Sequence, residues 1–159
     1  VNIFGTQYTL SRRAYEIYVS GCSGNPKHCE GCHSPHTWVF EAGFPFDENF
    51  MRKVRADIHT YDFLITSIMI FGGEPLDQPA EELESLLRFC NTLKKQIWLF
   101  THYEPDEALD RFPRLPELCD FVKFGPYIPE LKSDTNTQYG IRLATSNQHI
   151  VKYNREEHA

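Results

Sequence analysis

"LITSIMIFGGEPLDQPAEELESLLRFCNTL", Leu64–Leu93, changes character halfway. Its first part, Leu64–Gly73, is a short and nearly continuous apolar run rich in Ile that ends on two glycines. A run of that length and composition is the pattern of a strand buried on both faces. After the turn-forming Gly72–Gly73–Glu74–Pro75, Pro79 suits the first position of a helix, and Glu81 and Glu82 suit the positive end of its dipole. Leu83, Leu86, Leu87, Cys90 and Leu93 recur at helical spacing and make one apolar stripe. The stretch is therefore a strand followed by a helix, the repeating unit of an α/β protein.

The same alternation continues on both sides. "RAYEIYVSG", Arg13–Gly21, is a β-rich strand running into a cysteine loop. "DENFMRKVRADIHTYDF" carries Phe50, Met51, Val54, Ile58 and Tyr61 at helical spacing, with Asp47 placed as N-cap. "QIWLFTHY", Gln96–Tyr103, is a third strand, and a short helix follows over Pro105–Arg111. "CDFVKFGPY", Cys119–Tyr127, is a fourth strand, stopped by Gly125 and Pro126. "YGIRLA" and "QHIVKY" suit a closing hairpin or two edge strands. About four strand–helix units are too few to close an eight-stranded barrel. The expected fold is thus α/β, one domain over residues 1–159, with an incomplete (β/α) barrel or a curved, mostly parallel sheet. Ligands of such sheets gather at the carboxyl ends of the strands. The cysteine loop, the Gly-Gly-Glu-Pro and the Thr-His-Tyr all fall on that rim.

The bulk composition narrows the partners. A formal charge of −6 argues against nucleic acid, because phosphate binding leaves a basic footprint. No run approaches the ~20 apolar residues of a membrane span, and the first residues lack a signal-peptide layout. Val1 is not a methionine, so the numbering can begin inside a longer reading frame. The expected location is the cytoplasm, where clustered cysteines serve as metal ligands or redox groups rather than disulfides.

Three of the five cysteines, Cys22, Cys29 and Cys32, lie within eleven positions, among Gly24, Asn25, Pro26 and Gly31. Two metal chemistries fit. A structural zinc takes three cysteines and one histidine, for which His28, His33 and His36 are at hand. An iron–sulfur cubane takes thiolates at its irons. With three thiolates it keeps one iron for another ligand, as the open position of a catalytic metal site does. Gly72 and Gly73 allow close backbone approach to a ligand, Glu74 adds a carboxylate and Pro75 fixes the turn. The pairing of a three-cysteine loop with this strand-end motif favours the cluster.

The combination resembles the radical S-adenosylmethionine superfamily. "VSGC", "CEGCHSPHTWVFEAGFPF", "IFGGEPLDQP", "IWLFTHY", "CDFVKFGPYIPELK" and "ATSNQHIV" are similar to the branch that activates anaerobic (class III) ribonucleoside-triphosphate reductase, over about Tyr15–Val151. One departure is the spacing CX6CX2C in place of the superfamily's CX3CX2C. The resemblance implies a 4Fe-4S cluster on Cys22, Cys29 and Cys32, with S-adenosylmethionine chelating the unique iron. Gly72, Gly73, Glu74 and Pro75 would receive the methionine group, and His33 would lie near the adenine. Thr101, Asn147 and Gln148 would hydrogen-bond the cofactor, or equally serve local turns. One electron, from a donor such as flavodoxin or ferredoxin, would cleave the cofactor. The resulting 5′-deoxyadenosyl radical would take a hydrogen from a glycine of the large reductase subunit. Other readings are an activase for a different glycyl-radical enzyme, a small-molecule radical enzyme, and a zinc-stabilised module without catalysis. Trp38, Phe40, Phe44 and Phe46 are expected to form part of a docking surface, with Trp38 rather expected to pack under the loop. His28 and His36 are expected as loop polar groups, His102 as an exposed strand-end histidine, and Cys90 and Cys119 as core residues.

Overall fold

The structure, a computed structural model, describes residues 1–24, 28–29 and 35–155. Cys32 and His33 lie outside the described residues. The strands are β1 (Asn2–Thr9), β2 (Ala14–Val19), β3 (Phe44–Pro45), β4 (Ser67–Gly72), β5 (Gln96–Phe100), β6 (Phe121–Phe124), β7 (Thr137–Gln138), β8 (Ile141–Arg142) and β9 (His149–Lys152). The helices are α1 (Glu48–Thr60), α2 (Ala80–Asn91), α3 (Pro105–Arg111) and α4 (Leu115–Leu118). Seven strands form one open sheet in the order β3-β1-β2-β4-β5-β6-β9. The central four, β2-β4-β5-β6, are parallel, whereas β3 and β1 on one side and β9 on the other add antiparallel pairs.

The parallel centre agrees with the strand–helix alternation. Of the expected forms the open, mostly parallel sheet is the one present, with antiparallel strands at both of its edges. The sequence reading missed β1, which pairs with β2 from Thr9↔Ala14 back to Ile3↔Val19 across an irregularity at Gly5. Only Ile3 of β1 is buried, so the strand carries no apolar periodicity to read. "QHIVKY" supplies β9 at the sheet edge, whereas "YGIRLA" supplies β8, which pairs with β7 in a separate two-stranded ribbon. They are not two halves of one hairpin.

Local chemistry sets the helix limits. Asp47 is the N-cap of α1 and its carboxylate accepts from the Phe50 amide at 3.0 Å. Pro105 opens α3 at the position where no amide is needed. Strand residues alternate between two cores. Tyr15, Ile17, Val19, Ile68, Ile70, Ile97, Leu99, Val122 and Phe124 face the helices, packing on Phe50, Val54 and Ile58 of α1 and Leu83, Leu86 and Leu87 of α2. Ala14, Met69, Trp98 and Phe121 face the other way, against Ile141, Leu143 and Ile150.

Candidate functional site

Among the described residues the face opposite the helices is not fully sealed. At the carboxyl ends of β2, β4, β5 and β6 it opens into a cleft of about 450 Å³. Cys22, Cys29 and Trp38 line it from the cysteine loop, Gly72, Gly73 and Glu74 from β4, and Thr101 and His102 from β5. Phe71, Phe100 and Tyr18 make its floor, with ring pairs Tyr18–Phe71 at 5.5 Å and Phe71–Phe100 at 4.1 Å, both stacked. The three rim segments singled out in the sequence therefore meet at one place.

The two glycines are needed for a reason other than ligand approach. A Cβ on Gly72, whose φ is +123°, would lie 2.2 Å from the Val19 carbonyl oxygen. One on Gly73 would lie 2.3 Å from the Gly21 oxygen and 2.7 Å from the Thr37 oxygen. The glycines thus let the end of β4 press against the root of the cysteine loop. Backbone bonds fasten that contact: the Gly73 amide donates to Val19 at 2.9 Å, Glu74 to Gly21 at 2.7 Å and Cys22 to Trp38 at 3.1 Å. Gln78 adds a side-chain bond to the Gly21 carbonyl at 3.2 Å.

Glu74 is 1% exposed, and both carboxylate oxygens are engaged by the chain itself. One accepts from the Leu76 amide and the Thr101 hydroxyl, each at 2.9 Å. The other accepts from the His102 amide at 2.7 Å and stands 2.9 Å from His102 Nδ1. Two oxygens meeting four donor positions leave the carboxylate bracing β4 against β5. His102 is accordingly not an exposed strand-end histidine, because its ring is drawn onto a buried acid. Thr101 is buried and gives its hydroxyl to Glu74 while accepting from the Tyr103 amide at 3.1 Å. Pro75 is buried at the start of the 3-10 turn Pro75–Asp77.

Asn147 and Gln148 are engaged in turns. Asn147 donates to the Pro126 carbonyl at 2.9 Å. Gln148 accepts from the Ala144 and Thr145 amides at 3.1 and 3.2 Å, and also lines the cleft. His28 stacks on Trp38 at 3.8 Å between ring centres, with its Nε2 2.8 Å from the Cys22 carbonyl, so this pair packs over the first cysteine. His36 lies outside, against Phe4. Phe40 packs on Gly21, and Phe46 joins the helix-side core. Cys90 and Cys119 are fully buried far from the rim, and burial pushes the Cys90 thiol up to about 12 and raises Cys119 as well. They are inert core thiols, as expected.

Sequence reasoning missed Lys123. It sits on β6 and lines the cleft, and its ammonium donates to the Gly125 carbonyl at 2.9 Å. Burial pushes it down to about 8, while the nearby Glu74, Cys29 and Glu104 act the other way. The one available signal was a lysine in the apolar run "DFVKF", where a buried strand has no use for a charge.

A cleft on an α/β rim lined by two thiols of a closely spaced cysteine set is a place where a metal cluster could be held. A family model described as a 4Fe-4S single cluster domain matches residues 12–151, and the chain belongs to that family. It is similar to the anaerobic ribonucleoside-triphosphate reductase-activating protein of Salmonella typhimurium strain LT2, 29% identical over 135 residues, or 83% of this chain and 81% of that protein. The protein of the same name from Escherichia coli K12 is 26% identical over 137 residues, with the same shares covered. The one from Pasteurella multocida is 32% identical over 108 residues, 65% of this chain and 61% of that protein. Among the described residues no helix is long and apolar enough to cross a membrane.

Proposed function

We propose that the chain is a radical S-adenosylmethionine activating enzyme that generates a glycyl radical on an anaerobic ribonucleoside-triphosphate reductase. The observation that carries this reading is the meeting of Cys22 and Cys29 with the Gly72–Glu74 edge in one open cleft. The names of its relatives supply the target. The donor set suits the group. Two thiols border the cleft, Cys32 completes the set in sequence, and neither Cys22 nor Cys29 is in a disulfide. When bound, a 4Fe-4S cluster and S-adenosylmethionine supply one-electron cleavage and a hydrogen-abstracting radical.

The chain's own residues bind and orient. Cys22, Cys29 and Cys32 hold the cluster. Backbone carbonyls along Gly72–Gly73 offer acceptors to the cofactor's ammonium, while Glu74 keeps that edge in place through Thr101 and His102. Lys123 contributes the cation that suits the cofactor's carboxylate. Phe71, Phe100 and Tyr18 make an apolar floor that keeps water from the reacting region. His33, Thr101, Asn147 and Gln148 complete the proposed surroundings, Gln148 from the cleft wall. The reading includes a cytoplasmic location, an electron donor of the flavodoxin or ferredoxin kind, and no nucleic-acid partner.

The test is to mix reduced, cluster-loaded protein with the large reductase and S-adenosylmethionine without oxygen. A glycyl doublet on the reductase in the EPR spectrum is the expected result. Cofactor cleavage without that doublet would move the reading to another glycyl-radical enzyme or a small substrate. Stoichiometric zinc with no iron uptake would end it.

A further inference from the structure

Asp77 follows the Gly-Gly-Glu-Pro by two residues, and neither the sequence motif nor the proposed function gives it a task. Its side chain is 2% exposed, which for an acid demands partners. The partners come from two places. One carboxylate oxygen accepts both the backbone amide and the hydroxyl of Ser23, each at 2.8 Å. The other accepts the Tyr103 hydroxyl and faces Arg111 Nη1 at 3.4 Å. Arg111 lies over the Tyr103 ring, 4.2 Å from its centre. Tyr103 is held protonated, because burial and the bond to Asp77 both raise its pKa.

Ser23 immediately follows Cys22, and Arg111 ends α3. Asp77 therefore ties the first cysteine of the loop to the strand-end Tyr103 and to a helix, through charge-assisted bonds that are stronger than neutral ones. The Asp77 amide is itself anchored on the Glu74 carbonyl at 3.1 Å, so the clamp belongs to the braced β4 edge. The loop around Cys22 is rich in turn residues, and the Cys22 amide itself is held by the Trp38 carbonyl at 3.1 Å. The two hydrogen bonds from Ser23, one from its amide and one from its hydroxyl, commit one carboxylate oxygen to the residue beside a cysteine.

We propose that Asp77 is a positioning residue for the iron–sulfur site, fixing Cys22 by clamping Ser23 to Tyr103 and Arg111. The proposal rests on the reading of Cys22 as a cluster ligand. Asn at this position keeps an oxygen for the Ser23 amide and an amide group that can meet Tyr103, so it is the conservative variant. Tyr103→Phe removes the strand-end hydroxyl, with its bond to Asp77 and its contact with Ser23, and leaves both Ser23–Asp77 bonds in place.

The experiment compares wild type, Asp77→Ala, Asp77→Asn and Tyr103→Phe as full chains. Amide exchange at Ser23 is measured without metal, and iron release to a chelator after anaerobic reconstitution. Asp77→Ala is expected to speed both the Ser23 exchange and the iron release by about tenfold, as loss of the acceptor for both Ser23 bonds implies. Asp77→Asn should stay within about twofold of wild type. Tyr103→Phe should lower the thermal midpoint while changing iron release much less than Asp77→Ala. Unchanged Ser23 exchange in Asp77→Ala would overturn the clamp. Equal acceleration of release by Tyr103→Phe would reduce Asp77 to a general stabiliser and overturn the positioning role. A wild-type chain that takes up no iron would overturn the functional reading and the positioning role with it, whereas the exchange data would still report on the Ser23 bond.

Discussion

The two faces of the central sheet are built from alternate residues of the same strands, yet they differ in chemistry. The face under the helices is mostly aliphatic along β2, β4, β5 and β6, with Tyr15 and Phe124 as its aromatics, and these side chains are buried. The opposite face carries Glu16, Tyr18, Phe71, Trp98, Phe100, Phe121 and Lys123, and only part of it is covered. There Glu16 is 1% exposed and is held by Gln7 at 2.6 Å, Tyr18 at 3.0 Å and Arg12 at 3.2 Å. The difference teaches where the molecule invests stability and where it keeps room. A parallel sheet is normally covered on both sides. Among the described residues the second cover stops short, and the end of the aromatic face becomes the floor of the thiol-lined cleft.

The comparison is broken most sharply by the cysteines. Cys22→Ala or Cys29→Ala, on the open side, should lose essentially all cluster iron, against about four irons per wild-type chain. Cys90→Ala, under the helices, should keep it. Iron analysis of anaerobically reconstituted protein checks both.

Truncation of one large side chain on each face gives the next contrast. Leu86→Ala should cost about 2–5 kcal/mol in denaturant unfolding, as a fully buried leucine does. Phe71→Ala removes a half-buried ring and should cost about 1–2 kcal/mol, but should weaken the response of the cluster's EPR signal to S-adenosylmethionine. Leu86→Ala should leave that response intact in the folded fraction.

Gly73→Val tests the seam between the loop and the sheet. Its clash with the Gly21 and Thr37 carbonyls should cost about 1–3 kcal/mol. It should also impair cluster retention, because the displaced backbone is the root of the cysteine loop. Unaltered stability and iron content would show that the seam yields more easily than its contacts imply.

The smallest effect is electrostatic. Lys123 has a folded pKa of about 8, below its ordinary value, so the folded metal-free chain binds fewer protons than the unfolded one between those limits. Its contribution makes stability rise with pH across that window. Lys123→Met should remove this rise, and the difference between the two stability–pH curves isolates it from the tyrosines and cysteines that titrate nearby. Parallel curves would place the ammonium in better contact with water.

The sequence by itself determined the elements whose signals are local. α3 begins at Pro105 and ends at Arg111, as read, because a proline start and a following Phe-Pro set its limits. α1 begins after Asp47 because a carboxylate at that position caps the first amides. The buried strand ending in Gly-Gly was legible from composition, and the rim location of the thiols followed from element order. Tertiary structure decided the rest. β1 joins the sheet through hydrogen bonds to β2, which leave no hydrophobic period. The work of Glu74 depends on Thr101 and His102, which lie 27 and 28 residues away. Asp77 meets Ser23 across 54 residues. A strand's period is written in neighbouring residues, but the partner of a buried charge is chosen only when distant backbone ends are brought to one edge.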